Sequence, residues 1–290
     1  KTTESVTRTI KYIYDDGTPV PDAKLGTDVP GKKIQTLEFT RTAKVNLVTG
    51  EIEYGTWTPK TTADFEAVPT PTIDGYTSAL VSNPTTSDVP AKTVTADAAD
   101  FEEVVVYKIK QITIDPNDPN FDPNKPVDPN NPDGLKYKDL KLAEEVKRTI
   151  TYTYADDVVD TAKRGTEAEP KHETTVSFTR TATVNAVTKE ITYSEWTAKD
   201  NDTTLEGKAT VPVKTGYVAT GDVESSKKDV TGVNATDKDI VEKIIYKDLG
   251  KFVPVVPEGF TPPTIENPQY PNNPDDPTKP GTPTTTIPYV

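Results

Sequence analysis

The sequence predicts a mainly β protein, α+β at most, made of two homologous modules. Three observations carry this: apolar residues alternate with period two, one set of ordered motifs occurs twice, and proline crowds into two spacers. In the opening strand Val6, Arg8, Ile10, Tyr12 and Tyr14 share one face, while Thr7, Thr9 and Lys11 share the other. Val146, Arg148, Ile150, Tyr152 and Tyr154 repeat that pattern. Leu37, Phe39, Arg41, Ala43, Val45 and Leu47 lead to a turn at Thr49-Gly50, and Ile52 and Tyr54 return as a hairpin rich in Thr, Val and aromatics. The second copy carries Val187-Thr188-Lys189-Glu190 at that turn, and the loss of Gly predicts a different turn type or strain. Residues 61–68 read as a turn or two of helix, and 96–103 fits either helix or strand. Each module closes on an apolar strand, 104–107 or 244–246, expected to lie centrally in a sheet.

The duplication is ordered along the whole module. Phe39-Thr40-Arg41-Thr42-Ala43 returns unchanged as Phe178-Thr179-Arg180-Thr181-Ala182, Trp57 answers Trp196, and Gly75-Tyr76 answers Gly216-Tyr217, with offsets between 139 and 141. Each module is long enough to bury roughly two-thirds of its unfolded surface and fold alone. Of 27 prolines, six fall in 115–133 and eleven in 250–290. An Asp-Pro-Asn cadence fixes φ at each Pro and moves its predecessor out of the helical region, so an extended polyproline strut is expected. The organisation is therefore a first module at 1–110, an Asp/Pro/Asn-rich linker at 111–142, a second module at 143–249, and a proline-rich extended tail at 250–290.

Composition excludes several chemistries. The 290 residues hold 33 Lys+Arg against 46 Asp+Glu, one His, no Cys and no Met. Without Cys there is no disulfide, thiolate metal site or Cys nucleophile, and with His172 alone no imidazole cluster forms. A net charge of −13 repels nucleic acid and anionic lipid. No apolar run reaches the roughly 20 residues of a membrane span, so membrane insertion is not expected. A sequence without Met even at position 1, and without a signal peptide, reads as a piece of a longer polypeptide. We expect a monomer.

The candidate sites each carry two readings. Asp15-Asp16 and Asp156-Asp157 could supply a glycosidase carboxylate pair, or open a turn after a strand. Arg8, Arg148, Arg41 and Arg180 share faces with apolar neighbours, so each guanidinium must be paired or stacked. It then serves either as an internal brace or as a clamp for a sulfate or sialic-acid carboxylate. Tyr12, Tyr14, Trp57 and Tyr76, with Trp196 and the other counterparts, could stack on sugar rings or fill a small core. Calcium is a candidate cofactor, in the Asp-rich linker or in loops 200–202 and 236–239, although no helix-loop-helix calcium motif is present. A Lys–Asn isopeptide staple would need both residues in an apolar pocket, with Lys44 and Asn46 as one candidate pair.

The Tyr12-x-Tyr14-x-Asp16 strand, the Phe-Thr-Arg-Thr-Ala segment, the "VTGEIEYGTW" and "VTKEITYSEW" hairpins, the Gly-Tyr pair and the closing "VVYK" together resemble the mucus-binding (Mub/MucBP-type) repeats of lactobacillus cell-surface adhesins. The resemblance covers both modules. It implies β-grasp-like folds arranged as an elongated rod, in secreted, extracellular proteins anchored to the bacterial cell wall. It also implies binding of host mucin glycoproteins and, for some members, immunoglobulins; no enzymatic activity is expected, and no cofactor beyond the calcium candidate. The expected function is thus a cell-surface adhesin fragment that binds mucin glycans by multivalent weak contacts. Trp57, Trp196, Arg8, Arg148, Arg41 and Arg180 are its candidate ligand residues. Two further readings stay open: a stalk that presents a distal binding domain, and an immunoglobulin- or protein-binding module that works through strand-edge pairing.

Overall fold

A computed structural model of the chain describes residues 1–261 and 267–286. It divides into two compact units. Unit 1 comprises Lys1–Ile114, Asp122–Tyr137 and Ala182–Thr192, and unit 2 comprises Asp115–Phe121, Lys138–Thr181 and the described residues from Tyr193 on.

In unit 1 the central strand is β1 (Thr3–Tyr14), flanked on one side by antiparallel β2 (Ile34–Thr40). Two short strands, β3 (Ala43–Val45) and β4 (Ile52–Tyr54), form a separate hairpin, and β5 (Thr58–Pro59) pairs with the outer edge of β2. Next come β6 (Asp64–Phe65), β7 (Tyr76–Leu80), β8 (Lys92–Thr93) and β9 (Phe101–Ile109). The closing strand β9 runs parallel to β1 and antiparallel to β7, giving the order β5-β2-β1-β9-β7. The alternation of β1 sends Val6, Arg8, Ile10 and Tyr12 inward, against Phe39, Val105 and Tyr107.

A layer of loops closes the inward face. β6 pairs with β8, Val68 bridges Val89, and Phe65 and Val68 are fully buried. The helix expected at 61–68 does not form. Thr61 and Thr62 open the segment, and Pro69 and Pro71 end it, and Pro69 disfavours helical backbone at Val68. Residues 96–103 resolve into a turn, with the Ala98 amide donating to the Thr95 carbonyl at 3.0 Å, followed by the start of β9.

After β9 the chain enters β10 (Gln111–Ile114), and the expected extended strut is corrected. Asp115, Asp118, Asp122 and Asp128 each accept an amide from the Asn two residues on, at 2.8–3.0 Å. Their carbonyls accept the amides three residues on, from Asp118, Phe121, Lys125 and Asn131. Each Asp-Pro-Asn triplet is therefore a β-turn with Pro at its second position, a conformation that Pro's fixed φ suits as well as it suits extension. The Val127 amide then donates to the Leu135 carbonyl at 2.8 Å, and the Tyr137 amide to that of Lys125 at 3.0 Å.

Unit 2 repeats the sheet. Its central strand β11 (Ala143–Tyr154) pairs antiparallel with β12 (Glu167–Thr179) and parallel with the closing strand. The next hairpin, β13 (Ala182–Asn185) and β14 (Ile191–Tyr193), forms the sheet β10-β13-β14. β10 and β13 both lie in unit 1. The order in unit 2 is β15 (Thr197–Ala198), β12, β11, the closing strand β17 (Ile240–Asp248), and β16 (Tyr217–Gly221). One four-residue helix, α1 (Val223–Ser226), buries Val223 and Ser226.

The second hairpin keeps the first one's turn. Asn46 and Asn185 each accept two amides with Oδ1, and Lys189 adopts φ 65° where Gly50 has φ 75°. Losing Gly thus gives strain at Lys189 rather than a new turn type. The tail also departs from extension: Asn272 accepts the Gly216 amide at 2.8 Å and donates to the Lys214 and Tyr217 carbonyls, while the Ala219 amide donates to the Pro277 carbonyl. Residues 262–266 and 287–290 of the tail lie outside the described residues.

Candidate functional site

The chain breaks its regular pairing at Arg41-Thr42, between β2 and β3, and this aims Arg41 at the hairpin. Its amide donates to the Thr2 carbonyl at 3.0 Å, and its Nε donates to the Lys1 carbonyl at 2.9 Å. The guanidinium carbon lies 4.0 Å from the ring centroid of Tyr54, which ends β4, and 4.4 Å from that of Trp57, which precedes β5. Tyr54 is exposed, while Arg41 and Trp57 are half-buried. Among the described residues Nη1 and Nη2 of Arg41 have no hydrogen-bond acceptor.

The second repeat rebuilds the arrangement. The Arg180 amide donates to the Leu142 carbonyl at 3.0 Å and its Nε to the Lys141 carbonyl at 2.8 Å, with Tyr193 at 4.0 Å and Trp196 at 4.4 Å. Each cation–π contact adds about 0.5–1 kcal/mol at such a surface. The cluster presents a fixed cation with free donors beside an exposed phenol, and the chemistry of these groups is complementary to a carboxylate, a sulfate or a hydroxyl-rich ring. In the sequence Tyr54 reads only as a residue of the returning strand, and Tyr193 only as part of the matching hairpin segment. Their spacing of three from Trp57 and Trp196 is the signal in the sequence that links them to the tryptophans.

Arg8 and Arg148 take the structural alternative. Arg8 is 0 % exposed: Nε donates to Gln35 Oε1 at 3.1 Å, Nη2 donates to Gln35 Oε1 and to the Glu66 carbonyl, and Nη1 donates to the Pro90 carbonyl. Burial lowers its pKa, opposed by the negative charge of Glu103. Arg148, at 1 %, donates to Glu242 at 2.8 Å and to the carbonyls of Leu205, Lys228 and Ser225. A guanidinium whose donors are spent on its own fold in a closed core does not reach a ligand, which corrects their candidacy.

Tyr12 and Tyr152 are core residues as well. Burial pushes the Tyr12 phenol up to about 12 and raises that of Tyr152. Tyr14 and Tyr76, with centroids 5.3 Å apart, line a surface depression of about 620 Å³ with Asp15, Asp16 and Lys108. Asp16 accepts both the amide and the hydroxyl of Thr18, at 2.9 and 2.6 Å, and these bonds hold its carboxyl below the usual range. That is the turn-opening role. The sole imidazole, His172, has Nε2 buried without a partner among the described residues. Among the described residues no group of three His, Asp or Glu side chains converges to hold a metal, loops 200–202 and 236–239 included. Lys44 and Asn46 both lie exposed on the hairpin rather than in an apolar pocket, which corrects the isopeptide candidate. No described helix is long and apolar enough to cross a membrane.

The Muc B2-like domain model matches residues 1–111 and 137–250. The chain belongs to this family. Its Muc B2-like repeats are non-enzymatic domains, and each match contains one complete Arg-Tyr-Trp cluster. A MucBP domain of an adhesion protein from Pediococcus pentosaceus is 34% identical, over 37% of this chain and 98% of its own length, with a TM-score of 0.28. The mucin-binding domain of Spr1345 from Streptococcus pneumoniae is 30% identical, over 37% of this chain and 92% of its own, with a TM-score of 0.29. The type 2 repeat of the mucus binding protein MUB from Lactobacillus reuteri is 18% identical, over 84% of this chain and 99% of its own, with a TM-score of 0.29. No curated protein is a significant match to the chain.

Proposed function

We propose that both Muc B2-like repeats are adhesion modules at the outside of a bacterial cell, binding mucin-type glycoproteins through Arg41-Tyr54-Trp57 and Arg180-Tyr193-Trp196. The observation that carries this reading is the recurrence of the same three side chains at the same distances in both repeats. Bracing accounts for the stacking and the Nε bond, while the exposed ring and the remaining guanidinium nitrogens stay available to a ligand. The match to the Muc B2-like family supports mucin-type glycoproteins as the ligand class. Against a net charge of −13, a sialylated or sulfated chain is attracted only where a cation stands locally, and these arginines are such points. Weak sites in tandem then gain by avidity on a multivalent glycoprotein. A central parallel pair flanked by antiparallel strands supports a β-grasp-like assignment, with loops in place of the crossing helix.

The test is binding of the chain to immobilised mucin before and after enzymatic removal of its glycans. Binding that disappears with the glycans, and falls about tenfold or more in R41A/R180A, supports the proposal, since hydrogen bonds to a charged group are each worth about 1.5–3 kcal/mol. Binding that survives deglycosylation favours protein recognition, including an immunoglobulin partner. Absence of binding in both states favours a stalk.

A further inference from the structure

The two hairpins are alike in sequence and share one turn, yet they are opposite in cover. In the second repeat Ala182 and Val184 are 0 % and 1 % exposed. β10 lies along β13, pairing Gln111 with Asn185, Ile112 with Val184, Thr113 with Thr183 and Ile114 with Ala182. The Ala186 amide donates to the Lys110 carbonyl at 3.0 Å. Val187 packs on Gly75 so closely that a Cβ there would meet its Cγ2 at 2.9 Å.

The equivalent positions of the first repeat, 139 residues earlier, are Ala43, Val45, Asn46, Leu47 and Val48. Here β3 pairs with β4 alone. Val45 is 52 % exposed, and Leu47 and Val48 are each 95 % exposed. An edge strand carrying unpaired backbone groups and a run of bare apolar side chains is a template for another strand. The covered hairpin states which strand fits and in which register.

We propose that the β3–β4 hairpin is an acceptor for a preceding repeat of the same kind, whose linker strand lies antiparallel on β3 as β10 lies on β13. In that register an Ile equivalent to Ile112 sits opposite Val45, the carbonyl equivalent to Lys110 accepts the Leu47 amide, and a Gly-Tyr loop equivalent to Gly75-Tyr76 seats Val48. Gly50 stands where Lys189 pairs with Asp128 at 3.1 Å, so the first hairpin lacks that ion pair and relies on the strand and apolar contacts. The inference concerns assembly of repeats and stands apart from glycan binding, which uses the other end of the hairpin.

The test places a further copy of residues 1–140 ahead of Lys1, reproducing the spacing at which Lys141 follows Leu140. Amide exchange in the downstream repeat is then compared with that of the unextended chain. The Leu47 amide is expected to slow by about tenfold, the change that one added hydrogen bond gives. Val45→Glu in the downstream repeat, an exposed position, is expected to return exchange to the unextended rate while the fold persists. Unchanged exchange at Leu47 in the extended chain overturns the proposal, as does slowing that survives Val45→Glu.

Discussion

Arg8 and Arg148 occupy one position in two copies of one sheet, and their partners differ. Arg148 meets a carboxylate, Glu242, whereas Arg8 meets the neutral amide of Gln35. The exchange is complete on both sides. Opposite Arg148 in the antiparallel register stands Thr174, whose buried hydroxyl has no partner among the described residues, where the first repeat has Gln35. Glu103, the counterpart of Glu242, bonds the Ser82 hydroxyl at 2.8 Å instead. The position equivalent to Ser82 is Val223, which offers Glu242 no competing donor. A buried guanidinium fixes what the fold must supply, namely acceptors, while leaving open which strand supplies them. Two neighbouring positions decide the outcome together.

The largest effect is expected from Arg148→Met, which strands the Glu242 carboxylate in the core. Breaking a buried pair in this way costs about 3–5 kcal/mol, enough to lower the melting of a module of this size by more than about 10 °C. Arg8→Met strands only neutral acceptors, so a cost of about 1–3 kcal/mol is expected. Thermal unfolding of each variant, read by amide exchange in β11 and β1, checks the difference. Equal costs would mean that the carboxylate is irrelevant. Adding Glu242→Gln to Arg148→Met should recover a large part of the loss, because the stranded charge is then gone.

A sharper version converts one brace into the other. Gln35→Thr removes the amide acceptor from Arg8 and is expected to cost about 1–2 kcal/mol. Adding Ser82→Val releases Glu103 from its hydroxyl donor, and recovery of stability would show the carboxylate turning to Arg8. Further loss from the second change would break the comparison.

How much of this is legible in the sequence follows from the range of the interactions. Alternation in β1 and β11 is local, so the face carrying Arg8 and Arg148, and the need to satisfy them, can be read directly. The choice between Gln35 and Glu242 cannot, because it depends on which strands flank β1 and β11 and on a hydroxyl from a third segment. The same holds for the Arg-Tyr-Trp cluster: Arg41 and Trp57 stand out by residue type, while Tyr54 joins them only once the hairpin returns. The Asp-Pro-Asn triplets show a different difficulty. Each carries local signals for a turn and for extension, and the Asp side chain, by accepting the amide of the Asn, tips the balance towards the turn.

The two repeats agree in their phenols. Tyr107 and Tyr246 each donate to a proline carbonyl at 2.6 Å, while the Tyr12 and Tyr152 hydroxyls are buried without partners among the described residues. Tyr12→Phe and Tyr152→Phe are therefore expected to leave stability unchanged or raise it by about 1 kcal/mol, unlike Tyr107→Phe and Tyr246→Phe, which should lower it. Burial raises all four pKa values, Tyr12 to about 12. A raised folded pKa keeps its stabilisation below the unfolded value near 10 and loses it as pH rises through the folded value. Phenolate absorbance should thus show these four titrating late and together with alkaline unfolding. Early titration of Tyr12 would contradict its closed environment.

The smallest effect is expected at the hairpin turn, where Lys189 replaces Gly. Lys189→Gly relieves a left-handed backbone costing about 1 kcal/mol, and removes the ion pair to Asp128, whose loss offsets much of that relief. The Asp128 carboxyl is held below its usual range first by the hydrogen bond from Lys189 and then by the Asn130 amide. A lowered folded pKa gives stabilisation that is present above the unfolded value, about 3.9, and lost as pH falls through the folded one. The two terms therefore oppose each other at neutral pH, and only the backbone relief remains in acid. Hydrogen exchange of β13 in Lys189→Gly should be near that of the parent chain at pH 7, and slower than the parent below about pH 4 relative to each protein's neutral value. The reverse order would mean that the ion pair, rather than the turn, sets the stability of the covered hairpin, and that Gly50 leaves the first hairpin weaker.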